Sequence, residues 1–586
     1  MTVRALVAAL ALVAFGCGTS SGATFGAGAS STAGTASAGS GGSSAVSSGS
    51  GGATVSSSGG DAVASTGSAG GGEPETGWRS ALYPKDWAPG FASADGLRVQ
   101  DYSYAGYRRG EAPIGAPAVA TIFEVATFGA DPSGAKDATG AFQAALNAAK
   151  ANGGGVVHVA EGTYRLDGTL AINASNIVLR GEGPTKSRLA FRKSAGMSFL
   201  SHITFAGNVK DSGEALLTED AAPFLTQVKV TDASAFAPGD DVVVGFTITG
   251  DFIAEHQMVG TWDQATNAFK GKWQPFFRRE VVSVDTSSTP HTVTLDVPLR
   301  YPAKLRDGAS LKKQTGYLSE VAVESLGLAN AVSWDEAWAE KQVHVLELRG
   351  VKDSWIRDVA SFSPPSAPTS GLGVGAHLAS SGLLLLDAKR VTVADSGMHK
   401  AENRGSGGNG YLYEVRQSNE ILFRDLVATE GRHNFIQNWG FGVTGCVWVR
   451  VTSQGGVAWV SKNFPGLTGA SEFHHSLALG NLIDSSRFDD GWAIVNRGSE
   501  STYSGHTGTE NVVWNVSGTG TLRSRQFGHG YVIGSNGINV QTTLQGIVLD
   551  GAGTAPEDYT EGLGKGAELV PQSLYEDQLA RRLGAN

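Results

Sequence analysis

The amino-acid sequence predicts an all-β solenoid opened by one short helix, and three observations carry that expectation. A helix-period segment near residue 140 stops at a glycine run and gives way to strand-like pieces at short intervals, up to about Gly183. A second series of short β-rich cores recurs at irregular spacing from Val343 onward. No regular helices follow the later strands, which argues against an α/β unit opening a parallel sheet.

In the opening segment Phe142, Ala145, Leu146 and Ala149 fall at i, i+3, i+4 and i+7, which puts one apolar stripe on a helix. Asn152-Gly153-Gly154-Gly155 ends it, because glycine enters the left-handed cap conformation without a Cβ clash. Val156-Val157-His158-Val159, Tyr164-Arg165-Leu166, Leu170-Ala171-Ile172 and Ile177-Val178-Leu179 then read as strands between turns. In the later series Val351, Val391, Ile421, Val447, Leu482 and Val512 mark successive units, with gaps of 40, 30, 26, 35 and 30 residues by subtraction. One strand stacked per turn, with loops of varying length, produces such a rhythm.

The stretch FGADPSGAKDATGAFQAALNAAKANGGGVVHVAEGTYRLDGTL, from Phe128 to Leu170, resembles the N-terminal signature of the pectate-lyase superfamily, in the branch of rhamnogalacturonase- and epimerase-like proteins. The resemblance implies a right-handed parallel β-helix whose open end is capped by the helix. It covers about sixty residues closely and the rest in rhythm, and it is specific for fold and only suggestive for reaction.

The chain has 586 residues, and glycine, at 81, exceeds the usual ~7%. The net charge of -10 suggests no nucleic-acid partner. Residues 1–17 read as a secretory leader: Arg4, an apolar run from Ala5 to Phe15, then Gly16 before Cys17. Ala14-Phe15-Gly16-Cys17 resembles a lipobox, which implies lipidation at Cys17 and a secreted or cell-surface protein, a bacterial outer-membrane lipoprotein; plain cleavage and release is the alternative. Residues 18–73, almost all Ser, Gly, Ala and Thr, form a tether that buries too little apolar area to offset ordering entropy. Residues 74–586 form the β-helix domain. Its segment 74–122 is a strap along the solenoid, and residues 566–584 a helical tail. Alternating segments at about 200–345 form a β-rich insertion, with Glu255, His256, Trp262, Trp273, Arg278 and Arg279 expected to overhang a cleft. A monomer is expected, with the membrane engaged only through the lipid.

The densest polar motifs lie between 399 and 530: HKAENRG, EGRHNFIQNWG, SEFHHS, RFDDGWAIVNRG, SGHTGTEN and QFGHGYVIGSNG. On successive turns their side chains stack ~4.8 Å apart and line a groove suited to a polysaccharide. Asp489-Asp490-Gly491 followed by Gly528-His529-Gly530 resembles the paired-aspartate and Gly-His-Gly elements of polygalacturonase-type hydrolases. That implies catalytic roles for Asp489, Asp490 and His529, since paired carboxylates split their pKa values into acid and base. The usual Asn-x-Asp element before the pair and the Arg-x-Lys after the histidine are missing. A β-elimination needs instead a base for the C5 proton of a uronate and a cation on its carboxylate. Arg404, Arg432, Lys462 and Arg497 offer the charge, and His433, His474 or His475 the base. Trp439, Trp492 and His506 complete the expected substrate contacts, although the tryptophans suit a core equally. The plainer readings are that Asp489-Asp490 makes a turn, that Asn403, Asn434, Asn463 and Asn496 stack to satisfy backbone, and that Cys446 is a buried, inert thiol.

The expected function is polysaccharide cleavage on an acidic or pectin-like glycan, by hydrolysis first and elimination second. A non-catalytic glycan-binding protein is the reading from another class. No metal or cofactor is expected, with Ca2+ entering only under the elimination reading.

Overall fold

The computed structural model describes residues 77–266, 269–543 and 556–584. The leader, Cys17 and the Ser/Gly tract lie outside them. Two long parallel sheets wind around one apolar core and make a right-handed parallel β-helix. The chain alternates between a 17-stranded sheet and a 10-stranded sheet, both parallel, and the first sheet bends within each turn at left-handed residues such as Asp425, Arg450, Ser485 and Asn515. The rungs are in register: Leu422, Val447, Leu482, Val512 and Tyr531 form one column across the first sheet.

The helix Thr139–Ala151 buries Phe142, Ala145, Leu146 and Ala149, the expected stripe, against the first rungs. Phe142 meets Tyr164 edge-on at 5.3 Å between ring centroids. Gly153, at φ 81°, takes the left-handed turn that releases the chain into the strand Gly155–His158. The helix thereby covers the apolar cross-section that a solenoid would otherwise leave open at its end.

The insertion is a six-stranded antiparallel sheet between Lys210 and Thr315, narrower than the expected 200–345. Ser201–Ala206 and Ala322–Ala329 flank it and pair into the solenoid. Alternation alone does not separate them, because a rung and an antiparallel strand share the period of two. The insertion has its own core around Phe246, Phe252, Trp262 and Phe276, and it docks through Phe441, Leu477 and Leu479 on one row of corners. At that junction Glu420 takes Arg300 Nη2 at 2.7 Å and faces Arg279 Nη2 at 3.4 Å, all three buried. His256, Trp262, Arg278 and Arg279 are therefore buried in this junction and do not overhang a cleft, a correction to the sequence expectation. Their aromatic and charged character reflects docking, in which stacked rings and paired guanidiniums replace water.

The strap packs as expected. Tyr83, Tyr102 and Tyr107 are buried, and the strap with the helix Leu574–Arg582 covers the outward apolar column of the first sheet. Tyr102 N donates to Gln578 Oε1 at 2.8 Å, and Tyr575 Oη donates to Ala105 O at 3.1 Å. This cover explains why segments such as Val447–Val449 are apolar on both faces. Asparagine stacking is present at one row of corners but uses other residues: Asn481 Nδ2 donates to Asn511 Oδ1 at 2.9 Å, and Cys446 N to Asn481 Oδ1 at 2.9 Å. Cys446 itself is fully buried, and burial pushes its thiol well up.

Candidate active site on the outward face of the second sheet

With the first sheet covered by strap and tail, the polar functional groups concentrate on the second. Its strands His344–Arg349, Ser381–Leu386, Tyr411–Arg416, His433–Gln437, Ser471–Phe473 and Trp492–Ile494 lie side by side. Leu346, Leu383, Tyr413, Phe435 and Trp492 point into the core. Alternation therefore turns the column Glu347, Leu384, Glu414, Ile436, Glu472 and Ala493 outward, with a carboxylate on every second strand.

Glu472 is the hub. Its Oε2 accepts from Arg497 Nη1 at 2.9 Å, and its Oε1 accepts from His474 Nδ1. His433 Nε2 stands 3.3 Å from the same Oε1. Burial opposes ionisation of Glu472, but Arg497, His433 and His474 outweigh it and hold the carboxyl well below the usual range. His433 Nδ1 lies 2.6 Å from Ala470 O, which can only accept, so Nδ1 carries the proton and Nε2 presents a lone pair. That Nε2 is buried and has no hydrogen-bond partner; His433 as a whole is 8% exposed. Burial, with Arg432 and His474 nearby, drives His433 down to about 3 against the pull of Glu472, so the ring is neutral.

Tyr411 is the neighbour of His433 in register, with ring centroids 5.4 Å apart, and lies 6.3 Å from His474. Burial pushes its phenol up to about 12, so it keeps its proton at neutral pH. Gly410, at φ 76°, precedes it. A Cβ there would come within 2.9 Å of both Arg404 Cγ and Arg432 Cβ, so the glycine lets these two arginines close around the strand start. Arg432 Nη1 donates to Gly405 O at 2.7 Å, and Arg404 lies over the Trp459 ring at 5.5 Å. The Nε groups of Arg404, Arg432 and Arg497 are all buried without a partner. On the same strand as Tyr411, Glu414 takes His344, Arg416 and Asn438, and despite burial Arg416 and His344 hold it down to about 2.

The structure thus gathers His433, His474 and Arg497 around Glu472, with Arg432 beside His433 and Tyr411, and Arg404 next to Arg432 around Gly410. Trp439 and His475 form one edge, with rings 4.6 Å apart, and Trp439 is 38% exposed beside Phe269 of the insertion. The other expected residues lie elsewhere. Asp489 is held by Arg487 Nε at 3.0 Å and by Thr519 N at 3.1 Å. Asp490 accepts from Ser453 Oγ at 2.7 Å, Asn434 Nδ2 at 2.8 Å and Gly456 N at 2.9 Å, and burial pushes it up to about 6. It anchors the base of the hairpin Val457–Ser461/Phe464–Thr468. His529 is exposed on the opposite row of corners, so the structure does not join it to the aspartates. Trp492 is inside the solenoid core, and His506 is buried against Trp262 and Phe527 of the docking junction. Glu472, Tyr411 and Glu414 were missed by sequence reasoning.

Glu402, near the same row of corners as Arg404, gives a test of pH dependence. Burial pushes it up to about 8 from 4.5, and its Oε1 has no partner. A raised folded pKa stabilises fully below pH 4.5, and that contribution is lost as pH rises through 8. Wild type is expected to lose roughly 3–5 kcal/mol relative to Glu402→Gln between pH 5 and 9. Melting temperatures of the two proteins across that window check it, and parallel curves would refute it.

Residues 122–239 match the family model described as rhamnogalacturonase A/epimerase, pectate lyase-like. No curated protein matches the chain in sequence. Among solved structures it is similar to a tailspike of Pseudomonas phage phi297, at 12% identity over 72% of this chain, with a TM-score of 0.44. The chain spans 66% of that tailspike's length. It is similar also to an exopolygalacturonase from Thermotoga maritima, at 11% identity over 76% of this chain and 77% of that one, with a TM-score of 0.34. A third is the A-module of a mannuronan C-5 epimerase from Azotobacter vinelandii, at 12% identity over 76% and 95%, with a TM-score of 0.28. Likeness at this level carries no argument about activity. By its own two-sheet coil the chain is a parallel β-helix protein, and its residues 122–239 carry the similarity to the pectate-lyase-like family model.

Proposed function

We propose that the protein is an enzyme that binds a uronate-containing polysaccharide across the second sheet and cleaves it by β-elimination. One observation carries the reading: the guanidinium Nε–H donors of Arg497 on Glu472 and of Arg404 and Arg432 around Gly410, with the His433 lone pair beside Glu472, are all buried and all without partners. Unpaired buried donors cost free energy unless a ligand satisfies them, and three cationic donors select an anion such as a uronate carboxylate.

Arg432, Arg404 and Arg497 hold the carboxylate and stabilise the charge that develops next to it. His433 Nε2 removes the C5 proton, and the resulting imidazolium lies against Glu472. The C5–H electron pair forms the C4=C5 double bond, the C4–O4 bond breaks, and Tyr411 protonates the departing O4. Trp439 offers an exposed ring face at the edge of the site.

Hydrolysis is the second reading, because Glu414 and Glu472 lie two strands apart, about 10 Å by strand spacing, near the separation of inverting carboxylates. The test is incubation with polygalacturonate, alginate and glucuronan while unsaturated-uronate absorbance and reducing ends are followed together. Both are expected to rise, and Asp490→Asn is expected to retain turnover. Reducing ends without absorbance would replace elimination by hydrolysis. Binding with neither signal would make the protein a glycan binder.

A further inference from the structure

The same hub has a property that proton transfer does not use. His433 Nε2, Glu472 Oε1 and His474 Nδ1 lie within 4.8 Å of one another, all on buried residues. Two imidazoles and a carboxylate oxygen are ligands that zinc-class ions take, leaving a fourth position open. In a tetrahedral site with bonds of ~2.1 Å, ligand atoms stand about 3.4 Å apart. His433 Nε2 and Glu472 Oε1 already stand 3.3 Å apart. Both are acceptors facing each other with no donor between, an arrangement that a cation relieves. The Nδ1 of His433 is tied to Ala470 O at 2.6 Å, the outer hydrogen bond that orients a metal-ligating imidazole. His474 Nδ1 lies closer to Oε1 than two ligands would, so an ion enters by displacing its proton and opening that contact. Arg497 keeps Oε2, so Glu472 offers one oxygen.

We infer that His433, Glu472 and His474 bind one divalent transition-metal ion of the zinc class, and that the ion inhibits the enzyme by taking the lone pair that abstracts the proton. The inhibition rests on the elimination reading, while the binding does not. Neighbouring guanidiniums repel a bare cation but attract the polyuronate, so ion and substrate exclude each other at one place.

The test is calorimetric titration of the metal-free protein with Zn2+ in the absence of any sugar. One saturable site is expected, with X-ray absorption of the wild-type complex showing two imidazoles and light-atom ligands at ~2.0–2.1 Å. Glu472→Gln, His433→Gln and His474→Gln are each expected to weaken binding by on the order of 100-fold or more. No saturable site, or a site that survives in Glu472→Gln with no imidazole in the absorption spectrum, would overturn the proposal. The wild-type spectrum decides even if a variant folds poorly. In the polyuronate assay, Zn2+ is expected to raise the apparent KM without changing kcat, and an ion that activates would overturn the inhibitory role. If no sugar in the panel is cleaved, the elimination reading fails while the binding result stands by itself.

Discussion

His433→Ala is expected to reduce polyuronate turnover by about 10²–10⁴-fold, the range for loss of a positioned proton-transfer group. The substitution removes the one lone pair in the site that is buried, neutral and without a partner. KM is expected to change little, because the carboxylate-binding donors belong to Arg404, Arg432 and Arg497. Arg432→Gln should show the opposite split, raising KM more than it lowers kcat. The melting temperature is the control: His433 makes one ring hydrogen bond, to Ala470 O, from the first position of its strand, so the fold should survive. Equal loss in kcat and melting temperature would mean that His433 is structural.

Glu420→Ala is expected to have the largest effect on stability, about 3–5 kcal/mol, because removing one partner leaves buried charge uncompensated. Arg300 would then lose its paired carboxylate in a dry junction and Arg279 would keep only the weaker influence of Asp296; Arg279, already driven down to about 10 by burial, has Glu420 as its strongest opposing influence. The insertion should detach from the corners at Phe441, Leu477 and Leu479 before the rungs melt. Denaturation followed by tryptophan fluorescence, with Trp262 in the insertion as the reporter, checks it. A single transition unchanged from wild type would show that apolar docking alone holds the junction. Glu420→Gln, which keeps an acceptor, should lose less.

The cap helix and the rungs were legible because each repeats a local rule. The stripe at Phe142, Ala145, Leu146 and Ala149 needs only helical period, and Val447, Leu482 and Val512 are both unit markers and register partners. The site was half legible. Arg432, His433, His474 and Arg497 stood out by composition, and the turns bring them together. Glu472 stayed hidden because its strand, Ser471–Phe473, is three residues long, too short for alternation to declare a face. Asp489, Asp490 and His529 matched motifs, but a motif carries no information on corners. The aspartates sit where the first sheet turns into the second, and His529 where the second turns back. The aromatic and arginine-rich insertion looked like a substrate cleft because docking junctions and sugar sites draw on the same side chains.

The strap and the tail helix meet across 470 residues or more of chain, as the bond between Tyr575 and Ala105 shows. On a ribosome the strap emerges first, and its partner emerges on the order of half a minute later. During that interval the column Leu422, Val447, Leu482, Val512 and Tyr531 grows rung by rung with its outer face bare. Closing so long a loop is the slowest kind of contact to form, since chain entropy opposes it before burial rewards it. The strap–tail clasp therefore closes late: only a chain translated through Leu574–Arg582 can cover this apolar column.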